Sequence, residues 1–239
     1  MDKEPIVSSI ASAASIGKKL YKGKILLRML LVAIMTLMAF MLGMYGATAV
    51  VSDGGQYTVF VSDDKTSTQG ISLSETSDFA NPSVRLECKG IESMTNISER
   101  NIPTGLHDLE GSNNGANYIA YTFFLKNIGN DTISVEESMQ IESTIKGTDE
   151  AVRVRVYKNG EEKTYAKLGA DGMPEYGTIP FGEEKVFKIV AQNVKAGDII
   201  RYTIVIWLEG DDPQCLDNIR GGAVKLSMSF AIVNEQSKT

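Results

Sequence analysis

The sequence predicts an all-β fold, an antiparallel β-sandwich carried behind one N-terminal transmembrane helix. Three observations predict it. Residues 29–51 run for 23 positions without a charge; as a helix they would span about 34 Å, enough for a hydrocarbon core of about 30 Å. Beyond them, short runs of alternating apolar and polar residues recur with Gly, Pro and Asn between them, the pattern of half-buried strands. No segment after residue 51 sustains a helical period.

The charge distribution gives the expected address. The chain has 239 residues, 24 basic and 30 acidic, for a net charge of −6. Residues 1–28 carry a net +4, residues 29–51 carry none, and the remaining 188 residues carry −10. Lys and Arg stay on the cytoplasmic side of a membrane, so residues 1–28 are expected inside as a basic tail and residues 52–239 outside as one extracellular domain. The acidic body offers no basic stripe for phosphates, which argues against a nucleic-acid partner. Residues 29–51 are too long for the apolar core of an ordinary signal peptide, about 7–15 residues, and read as a signal anchor. Ala47-Thr48-Ala49 nevertheless has the small-x-small form of a cleavage site, and a cut after Ala49 would release the body as a secreted protein.

The strands are expected in this order. Tyr57–Val61 is a short β-prone run, and residues 63–70 are polar and turn-rich. Residues 71–75 form a weak strand. Val84, Leu86 and Cys88 alternate with Arg85 and Glu87, which turns Cys88 inward. Residues 90–117, with Pro103, Gly105 and a Gly-Ser-Asn-Asn-Gly run, read as a long loop, and so as a candidate contact surface. His107, the one histidine, lies there and is expected to be solvated. Residues 118–126 are apolar on both faces, which suits a central strand. A strand pair is expected across residues 132–145. Val152, Val154 and Val156 alternate with Arg153 and Arg155, and Asn159-Gly160 then supplies the positive φ angles of a two-residue hairpin turn that sets Lys158 opposite Glu161. Residues 186–191 form the next strand. In Ile199–Leu208 one face is wholly apolar, and in residues 224–233 Val224, Leu226, Met228, Phe230 and Ile232 face inward. Six or more such strands argue for a sandwich, jelly-roll-like or Ig-like.

Residues 207–222, WLEGDDPQCLDNIRGG, are the most distinctive stretch. Glu209, Asp211, Asp212 and Asp217 crowd the end of a strand. Outside a cell, carboxylates at a loop can bind calcium, which takes six to eight oxygens, so these four are candidate metal ligands. Their spacing is not that of an EF-hand. The same residues have a structural role open to them: Asp212 before Pro213 has the form of an N-cap and Gly221 that of a C′ glycine. Cys88 and Cys215 are the two cysteines, and in an exported domain they can pair or remain separate thiols. Asn96 and Asn130 head glycosylation triplets. No catalytic motif is present: no G-x-S-x-G, no H-E-x-x-H, no phosphate-binding glycine loop.

The long basic segment before an extended apolar stretch, the small residues at 47–49, and an all-β remainder without a sorting signal resemble the TasA/camelysin group of secreted β-sandwich proteins of Gram-positive bacteria. The last strands, YTIVIWLEGDDPQC and GGAVKLSMSFAIV, resemble the C-terminal end of uncharacterised surface proteins of similar bacteria. The resemblance implies extracellular fibres of like subunits built by donation of an N-terminal strand, with Tyr57–Val61 as the donor. It carries over no site residue. Three functions are therefore expected to compete: a non-enzymatic, membrane-tethered surface module that binds or spaces, a cleaved fibre or biofilm-matrix subunit, and an extracytoplasmic hydrolase.

Overall fold

The computed structural model describes residues 28–38, 57–91, 94–182 and 185–233. The chain divides into two compact units, Met1–Val51 and Ser52–Thr239. In the first, residues 28–38 form a helix, α1, with every side chain exposed. The rest of the expected span and the cleavage site at 47–49 lie outside the described residues. Among the described residues no helix is long and apolar enough to cross a membrane.

The second unit is an all-β sandwich of two sheets. Its strands are β1 Tyr57–Val61, β2 Ile71–Ser74, β3 Arg85–Cys88, β4 Gly111–Ser112, β5 Tyr118–Asn127, β6 Ile133–Ile145, β7 Val152–Lys158, β8 Glu161–Ala166, β9 Ile179–Pro180, β10 Phe187–Val194, β11 Ile199–Leu208 and β12 Ala223–Val233. One sheet has the order β10-β6-β12-β1-β3; the other runs β2-β5-β11-β7-β8-β9, with β4 also against β5. Pairing is antiparallel except for β1 with β12 and β8 with β9. Since β1 and β12 run together, the sandwich has a near pole, where Tyr57 and Ala223 begin, and a far pole, where Val61 and Val233 end.

Alternation fixes the core. Tyr121 and Phe123 of β5, Tyr202 and Ile204 of β11, and Met228 and Phe230 of β12 are fully buried between the sheets. Their rings pack at separations that favour offset and edge-on contacts: Phe123 lies 5.2 Å from Tyr202 and 5.9 Å from Phe230. The β7–β8 hairpin forms as expected. Asn159 and Gly160 have φ of 50° and 90°, and Lys158 stands opposite Glu161.

Four local expectations are corrected. Residues 65–70 are a short helix, α2 (Lys65–Gly70), because Asp64 caps it: its Oδ1 accepts from Ser67 N at 2.8 Å. A Cβ on Gly70 would stand 2.4 Å from Ile232 Cδ1, so with any other residue the Ile232 side chain would have to turn aside for the helix to sit this close to β12. Residues 133–145 make one long strand rather than a pair; an extra residue at Glu142, opposite the Lys225–Leu226 step of β12, bends it. The loop at 94–117 does not face solvent throughout. It straps the outer face of the second sheet, where Ile102 and Leu106 bury Ala120, Val205 and Trp207. His107 is correspondingly only part-solvated: its side chain is 38% exposed and stacks on Tyr157, 4.7 Å between ring centres.

Candidate functional site

Three places in the body hold chemistry. The first is the stretch that the sequence singles out. At the end of β11 the Glu209 carboxylate gathers three donors: Trp207 Nε1 at 2.9 Å and Glu99 N at 3.0 Å on one oxygen, Asp211 N at 3.0 Å on the other. Asp211 Oδ2 accepts from Ser98 Oγ at 2.7 Å and from Arg100 at 2.9 Å. Asp212 is buried; its Oδ2 meets Arg153 at 2.7 Å and its Oδ1 accepts from Gln214 N at 2.7 Å. Asp217 stands apart, 3.1 Å from Arg220 on the surface. The four carboxylates are thus turned to different partners rather than around one cation. Among the described residues no group of three or more His, Cys, Asp or Glu side chains is placed to hold a metal. Asp212 caps a turn rather than a helix, with Cys215 N bonded to its carbonyl at 3.0 Å, and Gly221 takes the left-handed φ of 71° after the last 3-10 turn.

These contacts form a clasp between the strap and the sheet. Arg153 and Arg155, read from the sequence as the polar face of β7, are both buried; Arg155 lies against the strap, whereas Arg153 is held by Asp212 and Glu175. Arg155 bonds Glu99 of the strap and Glu162 of β8, and its guanidinium lies 5.1 Å from the Trp207 ring centre, a cation–π distance. Ile97 N donates to Leu208 O at 2.9 Å, tying the strap to the strand end. The two cysteines are both free: Cys88 is buried beside Ser112 and Asn114, and Cys215 Sγ accepts from Asn96 Nδ2.

The second place is between the sheets. Glu137 of β6 is 1% exposed. Its Oε1 accepts from Lys158 Nζ at 2.5 Å and from Tyr202 OH at 2.7 Å, while Oε2 is buried without a partner among the described residues. A cavity of about 40 Å³ adjoins it, walled by Val156, Tyr165, Phe187 and Ile189, with Lys158 and Glu161 also lining it. Room for one or two waters is all this volume supplies; a sugar ring does not fit.

The third is a groove of about 860 Å³ at the far pole. Asn127, fully buried, holds its loops: Nδ2 donates to the carbonyls of Asp131 at 2.9 Å and Val194 at 3.0 Å, and Oδ1 accepts from Gly129 N at 2.9 Å. Thr66, Gln69, Asn130, Thr132 and Asn193 line it with amides and hydroxyls. Asn193 has φ of 60° at the bulge that ends β10.

Titration limits the range over which this body is stable. The hydrogen bond from Ser98 and the charge of Arg100 hold the Asp211 carboxyl below its ordinary value. Burial works to raise Asp149, but the Lys167 ammonium and the Thr144 hydroxyl outweigh it and hold it low. Asp64 and Glu142 are held low by hydrogen bonds from Ser67 and Ser227. Burial, reinforced by the charge of Glu137, pushes the Tyr202 and Tyr165 hydroxyls up, and burial raises the Cys88 thiol. A carboxyl lowered on folding contributes stability above its unfolded value and loses it as pH falls through the folded value. A phenol or thiol raised on folding contributes below its unfolded value and loses it as pH rises through the folded one. Melting temperature measured against pH is therefore expected to hold a plateau from about pH 5 to 8, with an acid limb below about pH 4 and an alkaline limb above about pH 10.

No protein-family model and no curated protein matches this chain. Two solved structures show a limited likeness. One is described as AvmM, which catalyses macrocyclization in alchivemycin A biosynthesis: 8% identity, 51% of this chain and 82% of that one, TM-score 0.22. The other is a β-glucosidase from Kluyveromyces marxianus in complex with glucose: 12% identity over 71% of this chain, TM-score 0.24, the match spanning 18% of that enzyme. At these TM-scores neither likeness carries a fold or an activity over to this protein.

Proposed function

We propose that this protein is a membrane-tethered surface module: an N-terminal anchor at residues 29–51, a cytoplasmic basic tail, and an extracellular β-sandwich that binds or spaces without catalysis. The observation that carries the reading is the order of charge along the chain. A segment of +4 precedes 23 uncharged residues, and a body of −10 follows. The far-pole groove supports a contact role, since its amides and hydroxyls stand at the end of the sandwich opposite the start of β1 at Tyr57.

The test is topological. Protease added to intact cells is expected to remove the body, and mass spectrometry of the membrane fraction is expected to find the chain still beginning at Met1. A body that survives in intact cells and is lost only on lysis overturns the address.

A cleaved fibre subunit is the second reading, and β1 favours it. This strand lies between β12 and β3 with Tyr57 and Val59 fully buried, so β1 of a neighbour in the same slot would bury the same surface. A mature N-terminus near Val50, together with fibres that grow with concentration, would select this reading over the first.

A further inference from the structure

The sheet edges among the described residues are unequal. β3 has four residues, with Arg85 and Glu87 alternating along it. β9 has two and ends in Pro180. β2 and β4, at four and two residues, flank one side of β5. Short strands, charges and proline are the usual means of blunting an edge. β10 has one charge, Lys188, and a bulge after Ala191, but no proline, and it is the longest edge strand among the described residues. It is eight residues long, bonded to β6 on one side and to no described strand on the other. Its Ile189 and Val190 are 37% and 47% exposed. The bulge after Ala191 leaves residues 187–191 as its regular stretch.

We propose that β10 is a self-pairing edge: two copies of this chain join β10 to β10, antiparallel about a two-fold axis, and continue one five-stranded sheet into the other. The sequence of the strand favours a second copy as the occupant. Antiparallel partners share a face of the sheet, so the axis passes through a residue rather than between two. About Ile189, Lys188 falls opposite Val190 of the other copy. About Val190, Lys188 falls opposite Gln192 and the two valines meet. Neither arrangement sets like charges against each other, and each covers exposed β-branched side chains. Lys188 itself is already paired with Glu136 at 2.9 Å. Edge pairing over a few residues buries less than the ~1,200 Å² of a standard stable interface, so the dimer forms with rising concentration rather than permanently.

Sedimentation equilibrium of the full-length chain in density-matched detergent tests this. The wild type is expected to move from the protomer mass toward twice that mass across the micromolar range. Val190→Lys is expected to hold the protomer mass at concentrations where the wild type and Val190→Thr are dimeric. It sets two lysines against each other in either arrangement; in the single chain position 190 is half-exposed and stands opposite Glu136, so the new ammonium faces a carboxylate and the melting temperature should move little. Hydrogen exchange on the wild type gives a reading free of any variant: amides of residues 187–191 slow as concentration rises, and those of β3 do not. A wild type that stays at the protomer mass, a Val190→Lys chain that associates as the wild type does, or exchange at 187–191 indifferent to concentration overturns the proposal. Association through the N-terminal apolar segment would give the second of these results, so it is separated from pairing through β10.

Discussion

Asp212→Ala is expected to lower the unfolding free energy of the body by about 3 kcal/mol. The side chains of Arg153 and Asp212 are 5% and 0% exposed and 2.7 Å apart. Removing the carboxylate leaves a buried guanidinium short of its nearest counter-charge, and breaking a buried pair from one side costs about 3–5 kcal/mol. The lower end applies because Glu175 stays 3.6 Å from Arg153 and takes up part of the charge. Asp212→Asn should cost less than the alanine change, since an amide oxygen can still accept from Gln214 N and keep the turn. Asp212→Ala combined with Glu175→Ala should cost more than the sum of the two, because the second change removes the fallback. Urea unfolding followed by the fluorescence of Trp207, the one tryptophan, measures all three, together with Glu175→Ala alone to complete the sum. A loss for Asp212→Ala under about 1 kcal/mol would place the pair with exposed ion pairs, and the link from β7 to the loop after β11 would then not depend on it.

This clasp is also where reading the sequence reached its limit. The carboxylates of residues 207–222 are conspicuous, but their partners are remote: Arg153 is 59 positions from Asp212 and Arg100 is 111 from Asp211. Spacing alone therefore left calcium and capping open, and the geometry spends the carboxylates on arginines and backbone amides. A signal for the strap was present. Val205 and Trp207 stand on the face of β11 away from the core, and Ala120 on the matching face of β5, an apolar surface that something must cover. Its cover is an irregular segment with no periodicity to announce it. Elements whose determinants are local were legible: the Asn159-Gly160 turn needs two residues, and β11 and β12 declare their faces over ten or more. α2 was not legible, because six residues are too few to show a period and its stability rests on a cap and on contact with β12.

Lys158→Met is expected to cost about 3–5 kcal/mol, although Lys158 is itself part-exposed. The cost arises at the other partner. Glu137 is 1% exposed, and with the ammonium gone its carboxylate keeps only the Tyr202 hydroxyl, while Oε2 already has no partner among the described residues. Removing the carboxylate as well should reverse most of the loss. Glu137→Leu with Lys158→Met fills the wall between Val156, Tyr165 and Phe187 with apolar atoms, and replacing a buried ion pair this way is often neutral or better. One debt remains in that double variant: Tyr202 OH loses its acceptor, which costs about 1–3 kcal/mol for a buried hydroxyl. Tyr202→Phe in the same background should therefore stabilise, whereas Tyr202→Phe alone should destabilise by taking a donor from Glu137. That change of sign between backgrounds, read by urea unfolding, is what separates a polar network from a set of independent contacts. If Tyr202→Phe has the same effect in both, the phenol and the carboxylate are not coupled, and the intersheet site is packing alone.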